Sequence, residues 1–500
     1  MTTRAHSLVG ELTSSTAAAV IEQGAVTTHA QLLSHAREVA IHLRRRGAGP
    51  GAIVPIQAAP STTALVQIVA ILMTGAAFAP IDLRMPPRTA ARIARLCGAA
   101  FILGDASGTT DGVVWLSPGD VANDPGANRL IPTAPQDTVY VIFTSGTSGD
   151  PKGVVVPEPA VRAYLGWSMR EYNCTRGWGA PLFTSLGFDL TITSLLGPLL
   201  NGRRVQVLDL LRWPLQVATD PGILQGSSFV KMTPSQVNML CELLEARGAR
   251  CSMPVLVVGG EVLYGQSVAR WRHSLPDTLV VNEYGPSEAT VGCCRYIVPA
   301  GFTSHEIPIG TAPPGVELSI EGQPPQAGDE LEEGELVIAG VQVATGYLTA
   351  SNSDDAADGR GQLRPFPSSA GKRSYRSGDR VRRDHDGTYT YVGRLGREAK
   401  VAGFRINLAA LESRLNAFPG VVSAAVQADE VHGLHSAVVT RDGGTTQSDL
   451  LAHLRQTFPS YALPRSIRIT TQINITERGK SSASWELQER CRTPRSHHPT

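Results

Sequence analysis

Apolar runs that end in glycine-rich turns recur along this chain and alternate with stretches of helical period, and that rhythm narrows the fold more than any single residue does. "TVYVIFTSG" (138–146) and "MPVLVVGGE" (253–261) are of the first kind. "SQVNMLCELLEARG" (235–248) is of the second: Ser235 can cap a helix on which Val237, Leu240 and Leu244 share a face. Alternation of this sort predicts an α/β protein. Near the C-terminus, "INLAALESRLNAF" puts Leu408, Leu411, Leu415 and Phe418 on one helical stripe, and the strand-like "VVSAAVQA" follows, which predicts a small α+β unit. The Ser/Asp/Gly/Pro-rich stretch Ser351 to Ser374 and the tail "TPRSHHPT" read as exposed loop.

At 500 residues the chain exceeds one hydrophobic core, so two or more domains are expected, and 42% apolar composition suffices to bury them. Basic and acidic residues nearly cancel, 45 against 44, so no overall field draws the protein to nucleic acid or an anionic membrane. The most membrane-like stretch, "ALVQIVAILMTGAAFAPI" from Ala64, is broken by Gln67, Thr74, Gly75 and Pro80 and reads as a buried helix followed by a strand. The N-terminus carries no apolar core of a signal peptide. Seven cysteines, an odd number without CxxC or Cys/His ligand spacing, point away from a disulfide framework or a zinc site and towards reduced thiols in the cytoplasm.

"FTSGTSGDPKG" (143–153) follows the strand "VYVI" and carries the strongest chemical signal. Small residues expose backbone N–H groups and hydroxyls to a polyphosphate, and Lys152 adds a point charge. The spacing is not that of a Walker loop. The string resembles the phosphate loop of adenylate-forming enzymes; "TGAAFAPID" (74–82) resembles an early structural motif before it, and "GFDLTITSLLGPLL" (187–200), "NEYGPSEAT" (282–290), "GELVIAGVQVATGYL" (334–348), "YRSGDR" (375–380) and "GRLGREAKVAGFRI" (393–406) follow in that family's order. The chain is similar above all to amino-acid-activating adenylation domains of nonribosomal peptide synthetases.

That resemblance implies ATP- and Mg²⁺-dependent formation of an acyl-adenylate with release of pyrophosphate, then transfer to a pantetheine thiol. It implies a large N-terminal core (1–395) of layered α/β subdomains with a β-barrel-like part, a small mobile α+β lid (396–492) and a disordered tail (493–500). Thr144, Ser145, Gly146, Thr147, Ser148, Gly149 and Lys152 would hold the β and γ phosphates. Glu288, assisted by Thr147, would hold magnesium, Tyr284 would stack on adenine and Asn282 would read its edge. Asp379 would bind the ribose hydroxyls with Arg394 beside it, and Lys480 would bridge the substrate carboxylate and the nucleotide. These assignments suit a reaction in which a carboxylate attacks a phosphate and negative charge must be met by cations and oriented dipoles.

The amino-acid pocket carried over in the same way comprises Asp189, which would pair with the α-ammonium, and Leu190, Thr193, Lys231, Val257, Gly259, Glu283, Val291, Gly292 and Lys480. Only five of the 45 basic residues are lysine, and four of them (Lys152, Lys231, Lys400, Lys480) fall on these motif or pocket positions. Lys231 and Glu283 would face the guest's side chain, one donating and one accepting. A carboxamide satisfies both. Aspartate would meet Glu283, a like-charge contact worth about 4 kcal/mol at ~4 Å and an effective dielectric near 20. The pocket therefore reads as one for L-asparagine, with L-aspartate next. Glutamine's extra methylene would cost only ~1–3 kcal/mol.

Three departures from the family pattern stand out: Gly396 where an acidic hinge residue is usual, and Asn407 and Ala409 where relatives often carry Glu. The resemblance also implies a carrier protein, met in trans or as part of a larger synthetase, and an MbtH-like helper as a further partner. The competing readings are an acyl- or aryl-acid CoA ligase, against which Asp189 speaks, and a degenerate nucleotide-binding homologue.

Overall fold

Six sheets carry the architecture of the chain, whose computed structural model describes residues 6–104, 108–117, 119–120, 129–145, 151–172, 174–322, 331–350, 359–396, 398–401, 403–429, 433–440 and 445–470. The expected tail 493–500, Lys480 and the loop residues Gly146, Thr147, Ser148 and Gly149 lie outside them. A nine-stranded mixed sheet runs from the edge strand Gly361–Pro365 through Thr138–Ser145 and Ile53–Gln57 to the short strand Gly108–Thr110. Beside it, Val230–Met232, Val255–Gly259 and Leu279–Tyr284 run parallel, with Cys294–Ile297 antiparallel at one edge. Another four-stranded sheet includes Ala18–Glu22 and Arg204–Val207. The barrel-like part is a curled antiparallel sheet built on Val316–Glu321, Glu332–Gly340 and Lys372–Arg383, with Tyr389–Arg394 paired to the last.

Burial explains the membrane-like stretch. Every residue of the helix Thr62–Thr74 from Ala64 onward is buried, and Ser61 caps it by accepting from Ala64 N at 3.1 Å. The strand Ala77–Pro80 follows, as expected, parallel to Ile53–Gln57. Among the described residues no helix is long and apolar enough to cross a membrane.

Two local expectations need correction. The helix after Lys231 spans Pro234–Glu245, and its cap is Thr233, which exchanges bonds with Gln236 in a capping box. Ser235 instead bonds Glu261 through its hydroxyl at 2.7 Å. Pro234 at the first helical position shifts the start because its missing N–H costs nothing there. The stretch Ser351 to Ser374 is not all loop: Gly361–Pro365 pairs with Gly346–Ala350, Ser368–Ser369 with Lys372–Arg383. Its apolar alternation is weak because Gly361–Pro365 is a half-exposed edge strand.

The C-terminal unit matches its predicted stripe. The helix Leu408–Asn416 buries Leu411 and Leu415 against Val438, Leu450 and Leu454, while Leu408 and Phe418 pack partly buried on the same cluster. Strands Val421–Asp429, Gly433–Thr440 and Ser466–Thr470 complete it. Asn407 caps that helix, accepting from Ala410 N at 2.9 Å, so a departure from the family pattern has a structural use. Gly396 has φ +97°, a backbone conformation that side chains rarely adopt. Across it, Arg394 Nη2 pairs with Glu398 Oε2 at 2.8 Å.

The cap assignment is open to direct test. Thr233→Ala is expected to lower stability by ~1 kcal/mol in urea denaturation, and Ser235→Ala by clearly less; a larger loss from Ser235→Ala would return the cap to that residue.

Candidate active site

Parallel strands end together, and that is what gathers the pocket. In the sheet register Lys231 lies opposite Val257 and Gly259 opposite Glu283, so adjacent strands present these residues at one end of the sheet. Clefts at such carboxyl ends are where open α/β sheets bind ligands. Asp189 stands at the head of the helix Leu190–Leu200 and reaches the same cavity. Asp189, Leu190, Lys231, Gly259, Glu283 and Val291 line it. Thr193, Val257 and Gly292 stand behind that lining.

Lys231 and Glu283 bond to each other. The two form an ion pair whose side chains are 0% and 3% exposed. Lys231 Nζ also donates to Tyr164 Oη and Thr193 Oγ1, each at 2.9 Å, so all three of its protons are in use. Glu283 Oε1 accepts from the hydroxyls of Tyr164, at 3.0 Å, and Tyr172. Glu283 Oε2 accepts from Lys231 and keeps one acceptor direction with no partner among the described residues. Burial holds the Lys231 ammonium below its usual range, opposed by the Glu283 charge, and burial followed by the same charge pushes both phenols well up, so they remain neutral donors.

Gly292 serves this arrangement. A Cβ there would lie 2.4 Å from Glu283 Cδ, so the space that glycine leaves is filled by Glu283 rather than by a guest. The preceding Thr290 and Val291 are β-branched yet left-handed, at φ 56° and 68°, a strain of order 1–3 kcal/mol each. Thr290 Oγ1 anchors the turn by donating to Gln342 O at 2.6 Å.

A second cavity adjoins the first, sharing Gly260, Glu283, Gly285 and Arg394. Asn282 and Tyr284 line it, and Asn282 Nδ2 donates to Pro308 O at 2.8 Å. Tyr284 Oη donates to Asp379 Oδ2 at 2.5 Å, while burial and then the Asp379 charge keep that phenol protonated. Asp379 and Arg394 are cross-strand neighbours. Arg394 Nη1 approaches Asp379 Oδ1 at 3.2 Å as an ion pair, but at an angle that leaves this buried oxygen without a hydrogen bond.

Thr144 and Lys152 face each other at the connected end of the hairpin Thr138–Ser145/Pro151–Pro157, with Ser145 opposite Pro151 at its last pair. Among the described residues the buried Thr144 hydroxyl has no hydrogen-bond partner. Lys152 Nζ lies 3.3 Å from Tyr347 Oη, which donates in turn to the fully buried Glu288. Tyr347 thus joins two residues that the sequence places far apart. It sits inside a quoted motif, where its hydroxyl was the available signal. Tyr164 and Tyr172 lie in no quoted motif.

Residues of the C-terminal unit also line the first cavity, Phe404 and Tyr461 among them. Phe404 stacks on Tyr461 with ring centroids 3.8 Å apart and meets Phe188 at 5.2 Å. Arg84, paired with Asp82 at 2.8 Å, lies over both Phe404 and Tyr461.

The fold, with its large N-terminal and small C-terminal parts, is that of an adenylate-forming ligase. More particularly, the chain belongs to the AMP-binding enzyme family, whose model matches residues 12–348, and the model of the AMP-binding enzyme C-terminal domain matches residues 410–480. It is 32% identical to bacitracin synthase 3 of Bacillus licheniformis over 93% of its length, and 29% identical to tyrocidine synthase 3 of Brevibacillus parabrevis over 93%. The chain spans only 7% of either relative. Among solved structures, a nonribosomal peptide synthetase protein containing adenylation and PCP domains, bound to a vinylsulfonamide inhibitor, aligns with TM-score 0.71 at 24% identity, covering 93% of this chain and 80% of that one. The o-succinylbenzoate CoA synthetase of Bacillus subtilis aligns with TM-score 0.77 at 18% identity, covering 96% and 98%.

Removing one member of the buried pair leaves the other uncompensated. Lys231→Met is expected to cost ~3–5 kcal/mol in urea denaturation, and Lys231→Met/Glu283→Leu to recover most of it. A loss below ~1 kcal/mol in the single variant would mean that the pair is not ionised in the folded protein.

Proposed function

We propose that this protein activates L-asparagine, with L-aspartate as its next-best substrate, to the aminoacyl-adenylate and pyrophosphate, and then passes the aminoacyl group to the phosphopantetheine thiol of a carrier protein. One observation carries the choice of guest: the three protons of Lys231 are already engaged, while Glu283 Oε2 retains an acceptor direction. A guest side chain must therefore bring a donor. The NH₂ of a carboxamide does so, and its oxygen takes the place of the Thr193 hydroxyl on Lys231. A carboxylate brings no donor and adds repulsion from Glu283. Asp189, buried and lining the same cavity, receives the α-ammonium.

Two buried orphans support a nucleotide beside it. Thr144 Oγ1 offers a hydroxyl to a phosphate oxygen and Asp379 Oδ1 an acceptor to a ribose hydroxyl. Tyr284 supplies the adenine platform, Asn282 reads the base edge, and Arg394 steadies Asp379. Lys152 and the residues Ser145 to Gly149 hold the terminal phosphates, and Lys480 bridges the amino-acid carboxylate to the nucleotide. The Glu288 carboxylate, with Thr147, fits a hard cation that takes its remaining ligands from phosphate oxygens and water. Magnesium held there supplies charge neutralisation on the phosphates. With Tyr347 donating to it, Glu288 stays oriented until that cation arrives.

The six described cysteines are free and buried, which suits the reducing cytoplasm. A carrier protein and an MbtH-like helper belong to the same reading.

Amino-acid-dependent pyrophosphate exchange tests it. Asparagine should exchange fastest and aspartate more slowly, by up to about three decades. Glu283→His should move preference towards aspartate, and Lys480→Ala should abolish adenylate formation. Equal rates for asparagine and leucine would refute the assignment.

A further inference from the structure

We infer that Tyr164 and Tyr172 are positioning residues for side-chain selection, acting through Glu283. The inference rests on the reading that Glu283 faces the guest. Both phenols come from the segment of the helix Glu158–Glu171 and its cap, a different element from the sheet that carries Glu283. Both donate to the same oxygen, Oε1. Two donors on one oxygen stop the carboxylate from turning and leave Oε2 to Lys231 and the cavity.

The rings themselves have little freedom. Tyr164 packs on Trp167 at 6.2 Å, Trp167 on Tyr172 at 6.1 Å and Tyr172 on Phe229 at 5.9 Å, and both tyrosines are 0% exposed. A buried phenol beside an anion stays protonated and has one favourable use for its proton, which is to donate it to that anion. Tyr164 also accepts from Lys231 and so touches both members of the pair. Tyr172 touches only Glu283: among the described residues its hydroxyl bonds nothing else. That makes Tyr172 the cleaner probe.

Tyr172→Phe keeps the ring and removes one donor. Glu283 then turns more freely, so its charge is no longer fixed against the guest and a carboxylate side chain meets less repulsion. For Tyr172→Phe, the KM for asparagine is expected to rise about tenfold with kcat within about twofold. The ratio of kcat/KM for aspartate over asparagine should rise about tenfold.

A double-mutant cycle separates this from a packing effect. In a Glu283→Gln background, Tyr172→Phe should change KM and the ratio by less than about twofold, because the group it acts through is already neutral. Tyr164→Phe in the same cycle gives a second measurement. Equal effects in both backgrounds, or a uniform loss across all amino acids, would overturn the inference. If the parent prefers another amino acid, the asparagine assignment fails, and the same cycle run with that substrate still decides the role of the tyrosines.

Discussion

Placing an ammonium and a carboxylate together at the end of a parallel sheet costs several kcal/mol per ion in lost hydration, and the cost is met only when every remaining proton and lone pair finds a partner. Lys231 and Glu283 come close to that condition. Two tyrosines and a threonine complete the shell, leaving one acceptor direction of Glu283 Oε2 without a partner among the described residues. The surrounding structure bends to this arrangement. Gly292 gives up its side chain so that Glu283 has room, and the strained Thr290–Val291 turn holds that glycine in place. A conventional residue at 292 would push the carboxylate off its partners.

The nucleotide side follows the same logic with a different outcome. There Thr144 Oγ1 and Asp379 Oδ1 are buried without hydrogen bonds among the described residues, although Arg394 lies 3.2 Å from the latter. In the amino-acid pocket, by contrast, nearly all hydrogen-bonding capacity is spent internally. A site that leaves whole groups unsatisfied gains affinity from any ligand able to supply the missing partner. A site that leaves a single direction open gains selectivity, because few guests can use it without breaking something else. The shared lining of Glu283, Gly285 and Arg394 brings the two cavities together, so both draw on one strand, Leu279–Tyr284, and its turn.

Much of this was legible in the sequence where local pattern and final environment agree. The strand Thr138–Ser145, the buried helix from Thr62 and the C-terminal stripe of Leu411 and Leu415 all follow from local pattern. Strands Gly361–Pro365 and Ser368–Ser369 were not legible, since an exposed edge imposes little apolar alternation. The pocket residues on the sheet were legible through the family resemblance. Tyr164 and Tyr172 were not, because they meet Glu283 across more than a hundred residues of chain and an aromatic on a helix reads as core. Sequence also gives no sign that Gly292 makes room for a protein side chain rather than a ligand. The phosphate loop from Gly146 and Lys480 were named from motif alone and lie outside the described residues.

On the proposed function, the unused acceptor direction of Glu283 Oε2 reads a donor on the guest. The most direct measurement is a crystal structure of the protein bound to a non-hydrolysable sulfamoyl analogue of asparaginyl-adenylate. The carboxamide nitrogen should lie within ~3.2 Å of Glu283 Oε2, with the Lys231–Glu283 pair intact. A carboxamide turned away from Glu283, with more than ~4 Å between them and no bridging water, would contradict the claim.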